Sequence, residues 1–425
     1  MNWLTAPLGD VCLPTLQADP ARSGASTFRY VDIAGVDRDS KIISRAEALP
    51  CAEAPSRARK IIQTSDVLVS TVRPNLNAVA LVSDDLDGEV ASTGFSVLRA
   101  NPVLLNPKYL FYWVQSREFI EYLVSNATGA SYPAVTDGVV RRAPLPLASP
   151  KEQSRIIDLL DEAYRLRLLR REAEVKAGRI LPVLFLKMFG DPATNPKGWP
   201  TERLDVLFDV FGGGTPSKAV PDYWQGDIPW VSPKDMKSDV IEDTEDHITN
   251  AAIANSATKL VEPGSILIVY RSGILAHTFP VAIAGRSLTL NQDLKALNSR
   301  REVSNEFLYG WLVTGQSLAL SCVKKGATVH NIDGPRFLSL QVPRPPHALQ
   351  NGFAANLKGL LGFKGDRERA SAQIDTLFSL LLRKAFSGQL TAKWREAHMK
   401  ELLAEMAQQA RTLNLPLPRE LEAQP

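Results

Sequence analysis

Asp66-Val-Leu-Val-Ser-Thr-Val-Arg73 is a β-branched apolar run that opens into a polar turn, and it returns as Ser265-Ile-Leu-Ile-Val-Tyr-Arg271. Working outward, the echo continues on both sides. Trp3, Leu8 and Val11 return as Trp199, Leu204 and Leu207, and Lys108-Tyr-Leu-Phe-Tyr-Trp113 answers Glu306-Phe-Leu-Tyr-Gly-Trp311. Thr128-Gly-Ala130 answers Lys325-Gly-Ala327, and Ile180-Leu-Pro-Val-Leu-Phe-Leu-Lys187 answers Leu377-Phe-Ser-Leu-Leu-Leu-Arg-Lys384. Order and spacing hold throughout, with a period of about 197 residues. That is far longer than the roughly 20–50 residues of a solenoid repeat, so each copy is a domain plus a helix. Two similar but non-identical domains imply a two-part ligand.

With 425 residues the chain has room for two or three domains, each with its own core. Its 44% hydrophobic and 22% charged content is that of a soluble globular protein. A formal net charge of +3 permits nucleic-acid binding without demanding it, so any basic surface must be local. The first residues carry no secretory pattern, and no apolar run reaches the roughly 18–20 residues of a bilayer span. Cys12, Cys51 and Cys322 lie far apart without a C-x-x-C pair, which speaks against a disulfide framework or a zinc site. The expectation is a reduced, cytoplasmic protein with no membrane contact.

Residues 1–149 mix short β-rich runs with turn signals. Val67 to Val72 reads as a strand, Asn75 to Val82 as a half-buried alternating strand, and Tyr109 to Val124 as a helical patch. This is an α+β pattern rather than a regular βαβ array. Residues 150–190 form a helical spacer whose stripe includes Ile156, Leu160, Leu169, Ile180 and Leu184. About 35 residues at 1.5 Å each give a rod of roughly 50 Å, with Gly178 and Pro182 bending it near its end. Residues 191–347 restart the domain after the linker Gly190 to Gly198. Residues 348–392 form a second spacer, with Leu377 and Leu381 on its stripe. Gly352, Gly359, Gly362 and Gly365 each cost a helix about 1 kcal/mol, so its first half is expected to fray or break. In residues 393–425, Lys400 to Arg411 reads as a surface helix followed by a disordered, proline-containing tail.

No catalytic signature stands out. Gly212-Gly-Gly-Thr-Pro-Ser-Lys218 has the wrong spacing for a phosphate loop, and no glycine fingerprint follows a strand. The five histidines are scattered without ligand spacing. Asp235, Glu242, Asp243, Glu245 and Asp246 read as a solvated acidic loop rather than a Mg²⁺ site. A binding reading does better. Repeat-equivalent loops concentrate the side chains that meet phosphates and base edges. In the first half these are Ser70 to Asn75 and Thr128 to Tyr132. In the second they are Thr215 to Lys218, Tyr270 to Ser272, Asn291-Gln292 and Lys324 to His330. Each taken alone could be an ordinary solvated turn; recurrence at equivalent places makes contact a fair rival. Tyr109, Phe111, Trp113, Phe307 and Trp311 read as helix core rather than base-stacking residues.

Three stretches resemble the specificity subunits of type I restriction–modification systems. One is Trp199 to Leu207 with Gly213-Gly-Thr-Pro-Ser217 and Trp224-Gln-Gly-Asp-Ile-Pro-Trp230, similar to the start of a target-recognition domain. Another is Pro144-Leu-Pro-Leu147 with Glu152-Gln-Ser-Arg-Ile-Ile157. The third is Leu184 to Pro192 with its counterpart Leu382 to Trp394. The resemblance covers nearly everything up to Trp394, although the first half lacks the Gly-Gly-Thr-Pro-Ser signature. It implies two globular target-recognition domains separated by two long antiparallel, coiled-coil-like helices in an internal pseudo-twofold repeat. Each domain would read one half of a split double-stranded DNA target. The helices would set the spacing, about one DNA turn of 34–36 Å, and dock methyltransferase subunits, two of them. Those partners would use S-adenosylmethionine, and restriction/translocase subunits would use ATP and Mg²⁺; this chain would bind no cofactor or metal and carry no catalytic residue.

On that reading the expected DNA contacts are Arg73, Asn75, Ser131 and Tyr132 in the first half. In the second they are Ser217, Lys218, Arg271, Ser272, Lys325, Thr328 and His330. Ile156, Leu160, Leu169, Ile180, Leu184, Leu377 and Leu381 are the expected docking residues of the helices. The rival readings are a self-contained endonuclease and a duplicated scaffold that never touches DNA.

Overall fold

A computed structural model describes residues 3–300, 302–326 and 329–417; Thr328 and residues 418–425 of the proline-containing tail lie outside the described residues. The chain forms two compact units, one of residues 1–172 with 370–425 and the other of residues 173–369. Among the described residues, no helix is long and apolar enough to cross a membrane.

The duplicated run is the central strand of each unit's main sheet. In the first unit Val67–Ser70 lies between Phe95–Ala100 and Val79–Leu81, with Cys12–Leu13 at the far edge, all antiparallel. Side chains alternate across a strand. Val67 and Val69 therefore enter the core under the helices, whereas Leu68 packs between the sheets with Ala80 and Val97. A strand covered on both faces is expected to be apolar, and Val67, Leu68 and Val69 are, with the buried Ser70 at its end. The second unit repeats the plan. Ile266–Val269 lies between Leu294–Ser299 and Val281–Ala284, with Ile266 and Ile268 in one core and Leu267 in the other. Each unit also has a four-stranded sheet with one parallel pair at its centre. That pair is Thr27–Val31 with Val90–Ser92 in the first unit and Ile228–Val231 with Leu288–Leu290 in the second. Each domain is closed by its own ends: Leu4–Pro7 pairs with Pro144–Leu147, and Thr201–Arg203 with Gln341–Pro343.

A buried glutamine anchors each domain to the first turn of a long helix. Gln153, in the central helix Pro150–Gly178, donates to the carbonyls of Leu104 and Ala148 and accepts from the Asn106 amide. Gln350, in the distal helix His347–Phe386, does the same with Glu302, Pro345 and Ser304. The far end of a helix completes each core. Phe386 meets the rings of Tyr109 and Trp113 in the first unit, at 5.2 and 5.1 Å. In the second unit Phe189 meets Phe307 at 4.8 Å. A Cβ on Gly310 would come within 2.5 Å of the Phe353 ring and 2.8 Å of Phe185, so its bare α-carbon lets both aromatics pack.

Several expectations change. The glycine-bearing helix does not break, because Phe353 and Leu357 at one end and Phe378, Leu382 and Ala385 at the other are buried. Each large side chain contributes about 1.5–3 kcal/mol, enough together to outweigh four glycines at about 1 kcal/mol each. The central helix does end at Gly178, and a second helix, Ile180–Phe189, takes over. The Asn75–Val82 strand shrinks to Val79–Leu81, since Pro74–Leu76 forms a 3-10 turn flanked by left-handed Arg73 and Asn77. The helical patch is two helices, Pro107–Trp113 and Arg117–Ser125, the second capped by Ser116. Ile156 and Leu160 are fully buried in the first unit's own core, so neither is offered to a partner. Leu184 and Leu381 are partly buried against the cores, whereas Leu169, Ile180 and Leu377 stay exposed.

The C-terminal helix is longer than expected, Ala392–Thr412, and packed rather than free. Leu402 and Met406 are fully buried, and Gln409 donates to the same carbonyls, Leu104 and Ala148, that Gln153 uses. At its start Arg395 lies against the buried Glu152 of the central helix at 2.7 Å. The carboxylate also accepts from Thr391 Oγ1 at 2.6 Å and from Trp3 Nε1 at 2.8 Å. The second unit has Leu349 at the position equivalent to Glu152, and Trp199 donates instead to the Phe189 carbonyl.

Candidate nucleic-acid interface

In the first unit the strand Val67–Ser70 leaves the sheet into the turn that carries Arg73. Arg73 is left-handed (φ 49°), a conformation uncommon outside glycine and asparagine, and its amide donates to the Pro133 carbonyl at 2.7 Å. Bridges Val72–Ala134 and Thr128–Ala134 lay the second expected loop against the first. As a result the Arg73 guanidinium sits 4.6 Å from the centre of the Tyr132 ring. Arg73, Asn75, Ser131 and Tyr132 are all exposed, with Tyr132 at 69%. An exposed arginine stacked on an exposed tyrosine keeps its donor edge free for a phosphate or a base.

The far side of the Arg73 turn is fixed from below. Asn77 is also left-handed, its side-chain amide donates to the Val114 carbonyl, and its carbonyl and Oδ1 both accept from Lys41 Nζ at 2.5 and 2.8 Å. Burial pulls the Lys41 ammonium down to about 8, with the Arg167 charge pushing the same way. Lys41 follows a hairpin loop held to the central helix by Arg171 on Asp39 at 2.7 Å and by a hydrogen bond from the Tyr164 hydroxyl to the Ser40 carbonyl. Sequence reading missed Lys41, since a lone lysine in a polar loop carries no distinguishing signal.

The second unit gathers Arg271, Ser272, His330 and the neighbouring Lys325 on a small three-stranded sheet, where the first has isolated bridges. Arg271–Ser272 pairs with His330–Ile332, which pairs with Val323–Lys324. Ser272 is thereby opposite His330, and Arg271 opposite Asn331. Arg271 is 60% exposed and lies 3.6 Å from Asp293. Lys325 is exposed in the adjoining loop, and His330 Nδ1 is buried without a hydrogen-bond partner. Lys324 pairs with Asp333 at 3.1 Å, which holds that carboxyl below its ordinary range.

Ser217 and Lys218 belong to a separate loop joined to this sheet through Gln292 and Asp293. Thr215 hydrogen-bonds Gln292, and the Asp293 carbonyl accepts from the amides of Tyr270 and Arg271. Trp230 donates to the Gly214 carbonyl at 2.9 Å, and Trp224 packs edge-on against Trp230 with centroids 5.0 Å apart. The Lys218 ammonium lies 6.0 Å over the Trp224 ring, and Ser217 accepts from Trp224 Nε1 through its carbonyl. A Cβ on Gly213 would stand 2.0 Å from the Asn291 carbonyl oxygen and 2.4 Å from that of Leu290. The glycine pair is thus a backbone-on-backbone approach that builds the loop rather than a phosphate cradle.

Residues 196–361 match the family described as "Type I restriction modification DNA specificity domain". The specificity subunit of the type I restriction enzyme EcoR124I/EcoR124II from Escherichia coli is 31% identical over 275 residues, covering 61% of this chain and 65% of that protein. The match therefore spans just under two thirds of the relative's own length. The HindI specificity subunit of Haemophilus influenzae is 22% identical over 328 residues, covering 60% of this chain and 71% of its own. Among solved structures, a chain from work on complex assembly and conformational transition of the type I R-M system has a TM-score of 0.56 and 27% identity. It covers 92% of this chain and 98% of that one. Residues 196–361 thus match the DNA specificity domain of type I restriction–modification systems, and the chain is similar in sequence and fold to the specificity subunits of those systems.

Proposed function

We propose that this chain is the non-catalytic, sequence-reading subunit of a type I restriction–modification complex, each globular domain reading one half of a bipartite duplex. One observation carries the reading: the same two-sheet domain occurs twice, and at equivalent exits from its central strand it presents different residues, exposed Arg73 with Tyr132 in one copy and exposed Arg271 beside a half-buried His330 in the other. A shared scaffold with unlike contact residues is what two different half-sites require.

In this reading the exposed apolar residues Leu169, Ile180 and Leu377 dock methyltransferase subunits, two per complex. Those subunits supply S-adenosylmethionine chemistry on adenine, and restriction/translocase subunits add ATP- and Mg²⁺-dependent cleavage. The protein works in the cytoplasm. Co-expression with a cognate methyltransferase, followed by mapping of modified adenines, tests the proposal. Replacing residues 1–149 by the corresponding domain of a relative should change one half of the modified sequence and leave the other. A change in both halves, or modification without sequence preference, defeats it. Cleavage of plasmid by the purified chain with Mg²⁺ alone would favour the endonuclease alternative.

A further inference from the structure

The first unit contains a groove of about 880 Å³ beside the Arg73 turn, walled by the hairpin loop on one side and by the strand ends at Tyr30 and Ser92 on the other. Three arginines line it: Arg38, Arg57 and Arg73. All three are exposed, and among the described residues none of them makes an ion pair. Three aspartates line it too, each with one carboxylate oxygen held within the hairpin or by the central helix. Asp32 accepts from the Gly35 amide at 2.8 Å, and Asp37 from the amides of Asp39 and Ser40 at 2.9 and 3.0 Å. Asp39 is bound by Arg171. The acids build the hairpin, Arg73 stacks on Tyr132, and Arg38 and Arg57 have no charged partner among the described residues.

Unpaired cations converging on a concave surface attract a polyanion, and arginine's planar fork matches a phosphate oxygen pair. We propose that this groove seats the phosphodiester backbone of the duplex, with Arg38 and Arg57 as phosphate contacts that hold the first domain in register while Arg73, stacked on Tyr132, reaches the bases. The occupant is one strand's phosphates rather than an acidic peptide, because the groove continues into the Arg73–Tyr132 turn that the recognition reading already assigns to DNA. The inference rests on that reading. It adds two residues outside the repeat-equivalent loops, and it separates positioning from base reading within one domain.

The test uses the full chain and a fluorescein-labelled, mixed-sequence 30-base-pair duplex, with affinity measured by anisotropy between 50 and 200 mM salt. Removing one phosphate-neutralising cation should reduce the slope of log affinity against log salt by about 0.9. Arg38→Ala and Arg57→Ala should each show that reduction with a several-fold loss of affinity, and the double variant about twice the slope change. Arg57→Lys should keep most of the slope, because a lysine still neutralises a phosphate; that rescue separates a missing charge from a misfolded loop. Arg117→Ala, a change at an exposed helix position, is the control. Unchanged slopes in both arginine variants, with Arg271→Ala still weakening binding, overturn the groove assignment and leave the recognition reading standing. A wild-type chain that binds no duplex, alone or with its methyltransferase, removes both.

Discussion

Arg395→Met is the sharpest perturbation of the contact between the C-terminal helix and the first domain. It leaves the Glu152 carboxylate with no accessible surface and no cation, holding only the Thr391 hydroxyl and the Trp3 indole. It also removes the guanidinium 5.1 Å from the Trp3 ring. Breaking a buried pair by deleting one partner costs about 3–5 kcal/mol. Against a domain stability of about 5–15 kcal/mol this is a fifth or more. Glu152→Gln alone should cost less, since the amide keeps an acceptor for Trp3 and Thr391. The double variant Glu152→Gln/Arg395→Met should be more stable than the sum of the two changes by well over 0.5 kcal/mol. Because the chain divides into two compact units, hydrogen exchange read by segment is the suitable assay. In Arg395→Met, protection should fall about a hundredfold or more in residues 3–172 and 392–417 and stay unchanged in residues 200–345, since 1.36 kcal/mol is a factor of ten. Additive single variants, a loss below about 1 kcal/mol, or deprotection spread over both domains would refute the reasoning.

Three further outcomes follow from the sites. Lys41 has its pKa lowered to about 8 chiefly by burial, whereas the unfolded chain keeps the ordinary 10.5; unfolding therefore takes up a proton between those values, and the first domain gains stability as pH rises through that window. Thermal unfolding should show the gain in the wild type and lose it in Lys41→Met, and parallel pH profiles would contradict the assignment. Gly213→Ala should disturb the Thr215–Lys218 loop, because its Cβ would meet backbone oxygens at 2.0 and 2.4 Å; a circular dichroism melt of the second domain unchanged within about 0.5 kcal/mol would show that the loop gives way freely. Arg271→Ala should weaken duplex binding, and relax one half-site by about 1–3 kcal/mol if the guanidinium reaches base edges. Unchanged modification and binding would exclude Arg271 as a contact.

How much of this was legible depended on whether a signal recurs. Strands, domain ends and helix starts occur twice, so coincidences such as Trp3 with Trp199 reinforced one another, and the central strand's apolar run declared its double burial. The glycines of the distal helix misled because propensity is local, whereas Phe353 and Phe378 hold that helix from two separate cores. Ile156 and Leu160 misled in the opposite direction: an apolar stripe shows that a face is covered, not which neighbour covers it. The C-terminal helix was read as a surface element because its apolar positions, Leu402 and Met406, are few. The polar residues that seat it, Arg395 and Gln409, look solvated until their partners are known. Arg38, Arg57 and Lys41 were invisible for want of a counterpart. Only folding brings Arg38 and Arg57 beside Arg73 and Lys41 onto Asn77.

The first domain draws its core from both ends of the chain, with Phe378, Leu382 and Phe386 packed among Tyr109, Tyr112 and Trp113. That fixes a timetable on the ribosome. Domains ordinarily fold in the order in which they emerge, at about 5–20 residues per second. Here the second domain, continuous from residue 173 to residue 369, has all its parts before the first does. The amino-terminal half must wait for the late helices with Tyr109, Tyr112 and Trp113 not fully covered, a delay of about 10–40 seconds over the next 200 or so residues. During that interval it is the vulnerable part of the nascent chain, and a chaperone or an early-arriving partner has most to gain by holding it.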